Sequence, residues 1–210
     1  MKKEIIETIQ LDVAYPSQKE LVFQSLNLRV EAGERILIIG ENGVGKTALL
    51  KTISGLIPPK GGEVKLMSKE IKNWKSRDMA KKIAFVGSRN VFNSLIRLQD
   101  FIAFGRYPFT NWLAEQKKSD REAVEYWVKR CGLEGLSDSL LVETSEGERQ
   151  KAIIARALAQ ETDLLILDEP GSHLDIKNTL SILQLLREES EKGKTLIFSS
   201  HQIEIALGFA

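Results

Sequence analysis

Ile36-Leu37-Ile38-Ile39-Gly40-Glu41-Asn42-Gly43-Val44-Gly45-Lys46-Thr47 is the stretch that decides the fold of this 210-residue chain. A short apolar run stops at Gly40, and a glycine-rich turn opens into helix-forming Ala48-Leu49-Leu50-Lys51. The turn spells G-x-x-x-x-G-K-T, a phosphate-binding loop pattern. Successive backbone N–H groups must curl around an anion, and glycines permit both the curl and the close approach. The helix that follows aims its N-terminal donors and partial positive charge at the same anion. Gly40, Glu41, Asn42, Gly43, Val44, Gly45 and Ala48 are thus expected to line the phosphates. Lys46 is expected to reach the β- and γ-phosphates, and the Thr47 hydroxyl to ligate Mg²⁺. The pattern alone says nucleoside triphosphate and nothing finer.

A second apolar run, Leu164-Leu165-Ile166-Leu167, ends in Asp168-Glu169-Pro170. The first acid at such a strand end can hold Mg²⁺, and the second can deprotonate a water that attacks a γ-phosphate. Both could instead cap the next helix. A third run, Thr195 to Ser199, leads to Ser200-His201. In parallel sheets, ligands bind at the carboxyl ends of strands. Gly40, Asp168 and His201 would all stand there, so His201 is expected beside the γ-phosphate or linked to Glu169. Tyr15 precedes the core in a turn with Pro16. Its ring can stack on a base or pack on the sheet. His173, in a loop, has no assigned partner and is read as a packing residue.

Composition narrows the class. Thirty Lys+Arg balance 29 Asp+Glu, so there is no general basic surface and no support for nucleic-acid binding. The single cysteine, Cys131, excludes an internal disulfide and a multi-cysteine metal site, and reads as a small core residue. No apolar run is long enough to span a membrane, and no signal-peptide core is visible, so the expected location is the cytoplasm.

Ile5–Val13 and Leu21–Val30 read as strands of an antiparallel sheet beside the nucleotide core. Glu63–Met67 and Ile83–Val86 are further strands, and Trp74–Lys82 looks helical. Val124, Trp127, Val128 and Cys131 recur with helical spacing, with Ser119 and Glu122 as a capping box. A helix from Glu148 to Gln160 follows. Another carries Ile176, Leu180, Leu183 and Leu186 on one face. The alternation of strands and helices fits an α/β chain with a mainly parallel sheet.

Taken together, these pieces resemble the ATP-binding subunit of an ABC transporter. The matching stretches are Gly40–Thr47, Thr144-Ser145-Glu146-Gly147-Glu148-Arg149-Gln150, Leu164–Pro170, Ser172-His173-Leu174-Asp175 and Ser199-Ser200-His201. In the family they are the Walker A loop, signature, Walker B strand, D-loop and switch-histidine loop. Phe104-Gly105-Arg106-Tyr107-Pro108 looks like the G-R-x-P segment of importers for iron–siderophore, haem and cobalamin. The resemblance implies a P-loop NTPase fold with an N-terminal antiparallel β subdomain and an inserted helical subdomain at about residues 88–145. It implies ATP and Mg²⁺ as ligands, with Glu169 and His201 catalytic. Thr47 and Asp168 would hold the metal, with Ser88 at the position of the family's metal-facing glutamine. It also implies separate permease subunits, peripheral association with the inner face of the membrane, and a head-to-tail dimer. In that dimer Ser145, Gly147, Glu148 and Asp175 would serve the nucleotide of the other chain.

Three departures from the family pattern stand out. Ser88 is three heavy atoms shorter than the usual glutamine. Glu146 replaces the first signature glycine; it either points away at little cost or sets a carboxylate facing a γ-phosphate. That suggests a partly degenerate signature, weak homodimer sites and a heterodimer with an intact partner. The chain also stops at Ala210, soon after His201, so residues 1–210 are expected to form one ATP-binding domain truncated at its C-terminal end. Two other functions stand beside transport: a non-transport ABC ATPase and a nucleotide-gated module with little turnover. The first usually carries a long coiled-coil insert or a second cassette, and neither is present.

Overall fold

The computed structural model describes residues 3–18, 20–88, 95–111, 115–172 and 174–201. His173 lies outside them. Among the described residues, two four-stranded sheets organise the chain. The first is antiparallel in the order β2-β1-β4-β5, from β1 (Glu4–Val13), β2 (Phe23–Glu31), β4 (Gly61–Leu66) and β5 (Lys69–Glu70). The second is parallel in the order β3-β8-β7-β6, from β3 (Arg35–Ile39), β6 (Ile83–Val86), β7 (Leu164–Asp168) and β8 (Thr195–Ser200).

Strands β6, β7 and β8 are buried apolar runs because both faces of the sheet are covered there, whereas edge strand β3 is half-buried and its Ile39 is exposed. Side chains alternate along a strand, and they divide between two cores. Leu165, Leu167, Leu196 and Phe198 pack with the helices α3 (Leu98–Ala103), α4 (Lys118–Arg130), α5 (Glu146–Ala159) and α6 (Ile176–Glu191). Leu164, Ile166 and Ile197 face the antiparallel sheet and α1 (Lys46–Ile53). Cys131 lies in the helical core, where burial pushes its thiol up to about 12, so it is not a thiolate at neutral pH.

Several local expectations shift. Trp74–Lys82 is not one helix. Ile71–Asn73 forms a 3₁₀ turn, Trp74 is extended, and α2 (Ser76–Met79) is a single turn. The Gln160 amide then donates to the carbonyls of Ala80 and Ile83 and draws the chain into β6. The cap of α4 is also displaced. Asp120, not Glu122, accepts a backbone N–H at 2.9 Å, and that N–H belongs to Lys117, not Ser119. Asp120 prevails because it is buried against Arg106, which lies 2.9 Å away. On α6, Thr179, Ile182, Leu183 and Leu186 face inward, while Ile176 and Leu180 are exposed.

The Gly105-Arg106 pair joins the helices into one body. A Cβ on Gly105 would sit 2.2 Å from the Arg156 carbonyl oxygen, so only glycine permits this approach to α5. Arg106 is buried and donates to Asp120 at 2.9 Å and to the Ala159 carbonyl at 2.7 Å. It also donates to Glu161 at 2.8 Å.

Candidate nucleotide site

Strand β8 lies between β3 and β7, with Ser199 level with Ile38 on one side and Asp168 on the other. The carboxyl ends of all three strands are therefore flush, and each delivers one part of the site. After β3 the chain turns through Gly40–Gly45 into α1. Gly45 has φ +104°, a left-handed conformation that favours glycine, and a Cβ there would meet Val22 at 2.9 Å. That turn brings Lys46 back over the loop, where its ammonium donates to the carbonyls of Gly40 at 2.7 Å and Glu41 at 3.0 Å. Glu41, Asn42, Gly43 and Val44 are exposed, while Ala48 is fully buried beneath them.

Thr47 Oγ1 donates to Asp168 Oδ2 at 2.6 Å, across 121 residues of sequence. Ser199 Oγ donates to the other carboxylate oxygen at 2.8 Å and accepts the Glu169 N–H at 3.0 Å. Glu169 turns the chain with φ 51°, and Ser172 holds its carbonyl through both N–H and Oγ. One Glu169 oxygen lies 3.2 Å from Lys46 Nζ, and the other lies 3.2 Å from His201 Nδ1. Lys46, Glu169 and His201 thus form a line of charge-assisted contacts running from buried to half-exposed.

A cavity of about 840 Å³ opens over these groups. Tyr15, Asn42, Gly43, Thr47, Asp168, Glu169 and His201 line it, joined by Ser88 and Gly87 from the end of β6. Lys51 and Phe85 also line it, and Ser199 orients the acids below. None of these three was assigned a role from sequence. Lys51 follows Thr47 by one helical turn, a legible signal. Ser199 had a weaker one, a hydroxyl within a buried apolar strand.

The signature stretch stands apart from this cavity. Ser145 caps α5, and Glu148 Oε2 accepts from the Ser145 backbone N–H and hydroxyl, each at 2.8 Å. Those two bonds hold the Glu148 carboxyl below its usual range. The cap is therefore present above the ordinary carboxylate pKa and is lost as pH falls through the lowered one. Glu146 is exposed in the same first turn, and Gly147 lies against Asn178. Asp175 caps α6, accepting from Asn178 at 2.7 Å and 3.1 Å. Gln150 reaches the Pro170 carbonyl at 2.9 Å, which ties the signature helix to the Walker B strand end.

The donor set suits Mg²⁺. Thr47 and Asp168 offer one hydroxyl and one carboxylate, both hard oxygens, side by side at the glycine-rich turn. Among the described residues no group of three or more His, Cys, Asp or Glu could hold a metal alone.

Residues 23–172 match the family model described as ABC transporter. The chain is 37% identical over 206 residues to the ferric enterobactin transport ATP-binding protein of Escherichia coli, covering 96% of this chain and 74% of that protein. It is 32% identical over 206 residues to the iron(3+)-hydroxamate import ATP-binding protein of Bacillus subtilis, covering 98% and 76%. Among solved structures, a metal-chelate type ABC transporter in an inward-facing conformation superposes with a TM-score of 0.84 at 27% identity, covering 99% of this chain and 77% of that one. A dimeric ATP-binding cassette in a post-hydrolysis state, bound to ADP and Pi, superposes at 0.82 with 26% identity, covering 96% and 90%.

Proposed function

This chain belongs to the ABC transporter family, in which it binds and hydrolyses ATP to drive transport through separate membrane subunits, and we propose that its cargo is a ferric siderophore moving inward. The observation that carries the site reading is the convergence of Thr47, Asp168, Glu169 and His201 on one cavity. The two relatives, which serve ferric enterobactin transport and iron(3+)-hydroxamate import, support the cargo.

Within that site, the turn after β3 cradles the phosphates and Tyr15 stacks on adenine. Lys46 neutralises the β- and γ-phosphates, which then compete with Glu169 for its ammonium. Glu169 accepts the proton of the attacking water, and His201 holds the other carboxylate oxygen and fixes its direction. Thr47 and Asp168 would hold Mg²⁺, with Ser88 beside them, and the ion would supply charge neutralisation on the phosphate oxygens. Two ATP-binding subunits close head to tail, each presenting Ser145 and Gly147 to the other's nucleotide. ATP favours that closed state because only there does the second chain reach the γ-phosphate. The subunit sits on the inner face of the membrane through its permease. No helix among the described residues is long and apolar enough to cross a membrane.

Transport decides the cargo. Produced with its permease and binding protein in vesicles, the chain should drive ATP-dependent uptake of iron-55 siderophore. ATP turnover without such uptake would overturn the cargo.

The signature carries its own test. Glu146 is exposed at the N-terminus of α5, where a partner's γ-phosphate would arrive. Replacing Glu146→Gly removes a like charge and should raise turnover of the isolated protein about tenfold. An unchanged rate would show that Glu146 points away and that homodimer sites are intact.

A further inference from the structure

We infer that Ser199 is a positioning residue for the acids at the end of β7, setting both the metal-facing oxygen of Asp168 and the direction of Glu169. This rests on the reading of the cavity as the Mg²⁺-nucleotide site. Ser199 is fully buried in an inner strand of the parallel sheet, preceded by apolar Leu196-Ile197-Phe198. A hydroxyl there costs stability unless it is paired, and this one is paired twice.

Its hydrogen goes to Asp168 Oδ1 at 2.8 Å, while Thr47 donates to Oδ2 at 2.6 Å. The carboxylate is pinned from opposite sides, so it cannot rotate about its own axis. One oxygen is kept toward the cavity, beside the Thr47 hydroxyl. The lone pair of Ser199 accepts the Glu169 N–H at 3.0 Å. Glu169 adopts φ 51°, a left-handed conformation that an ordinary residue takes only at a cost. With Ser199 on its N–H and Ser172 on its carbonyl, the peptide is held in that turn. The side chain consequently projects between Lys46 and His201. Ser199 is fully buried and acts through the two acids.

The test is ADP binding by the purified chain, titrated once in Mg²⁺ and once in EDTA. The wild-type chain should bind ADP more tightly with Mg²⁺. Ser199→Ala should keep the affinity in EDTA and lose about tenfold of the Mg²⁺-dependent gain, the scale on which outer partners of a ligand act. Turnover should fall by a similar factor. Ser199→Thr, which restores the hydroxyl, should recover the gain to within about twofold. Its methyl can enter a small cavity of about 30 Å³ lined by Thr179, Phe198 and Ser200. If the alanine variant does not fold, Ser199→Cys, a weaker donor, gives the same comparison and should show a partial loss. A full Mg²⁺-dependent gain in either variant, or a threonine variant as impaired as alanine, overturns the role of Ser199. No gain in the wild-type chain overturns the site reading itself.

Discussion

Glu169→Gln should lower ATP turnover by roughly 100- to 10,000-fold, the range lost with a positioned general base. The amide has the shape of the carboxylate and keeps a partner for His201, which lies 3.2 Å from one oxygen. What it cannot do is accept a proton from water. ATP affinity should hold or rise, because the substitution also removes the charge that competes for Lys46 at 3.2 Å. An enzyme that binds ATP but does not split it should accumulate as the closed pair. Steady-state phosphate release and size-exclusion chromatography in ATP measure the two effects. Unchanged turnover would remove Glu169 from the chemistry. Unchanged dimerisation would favour a nucleotide-gated module over a motor.

Arg106→Ala should be the most destabilising single change on the helical side, by about 3–5 kcal/mol. The argument concerns what remains, more than what is lost. Asp120 is buried, and its Oδ1 would face no cation. The Ala159 carbonyl, at the last turn of α5, would lose its 2.7 Å donor as well. Glu161 matters less, because it is more than half exposed at 55% and water replaces its partner. For a chain of this size the loss corresponds to a melting temperature lower by roughly 6–20 °C. The double change Arg106→Met with Asp120→Leu should recover most of it, since removing both charges removes the unpaired one. Thermal unfolding of the three variants gives the comparison. A loss below about 1 kcal/mol for Arg106→Ala would mean that water reaches Asp120.

The G-R-x-P segment shows how a sequence signal and its physical content can differ. From the sequence it is a family mark. In the structure Gly105 is the point where the chain touches the backbone of α5, and Arg106 joins α4, α5 and Glu161 through one guanidinium. Neither residue enters the nucleotide cavity. Asp175 carries a similar lesson. The family pattern gives it to the nucleotide of a second chain, and within one chain its oxygens both serve Asn178.

What the sequence determined by itself was whatever a few consecutive residues can encode. The glycine-rich turn into α1 follows from Gly40, Gly45, Lys46 and Thr47. The buried strands follow from apolar runs of four or five residues, and the strand-end acids from Asp168-Glu169. These signals survive because chain stiffness, glycine conformations and side-chain period are local properties. Tertiary structure decided the rest. Burial of Asp120 by Arg106 moved the cap of α4 away from Ser119 and Glu122. Packing turned Ile182 and Leu183 inward and left Ile176 and Leu180 in solvent, although all four are apolar. Parallel pairing set Ser199 level with Asp168, 31 residues away, and made a buried hydroxyl part of the site. The direction a side chain takes, and the partner it finds, depend on which distant element covers it.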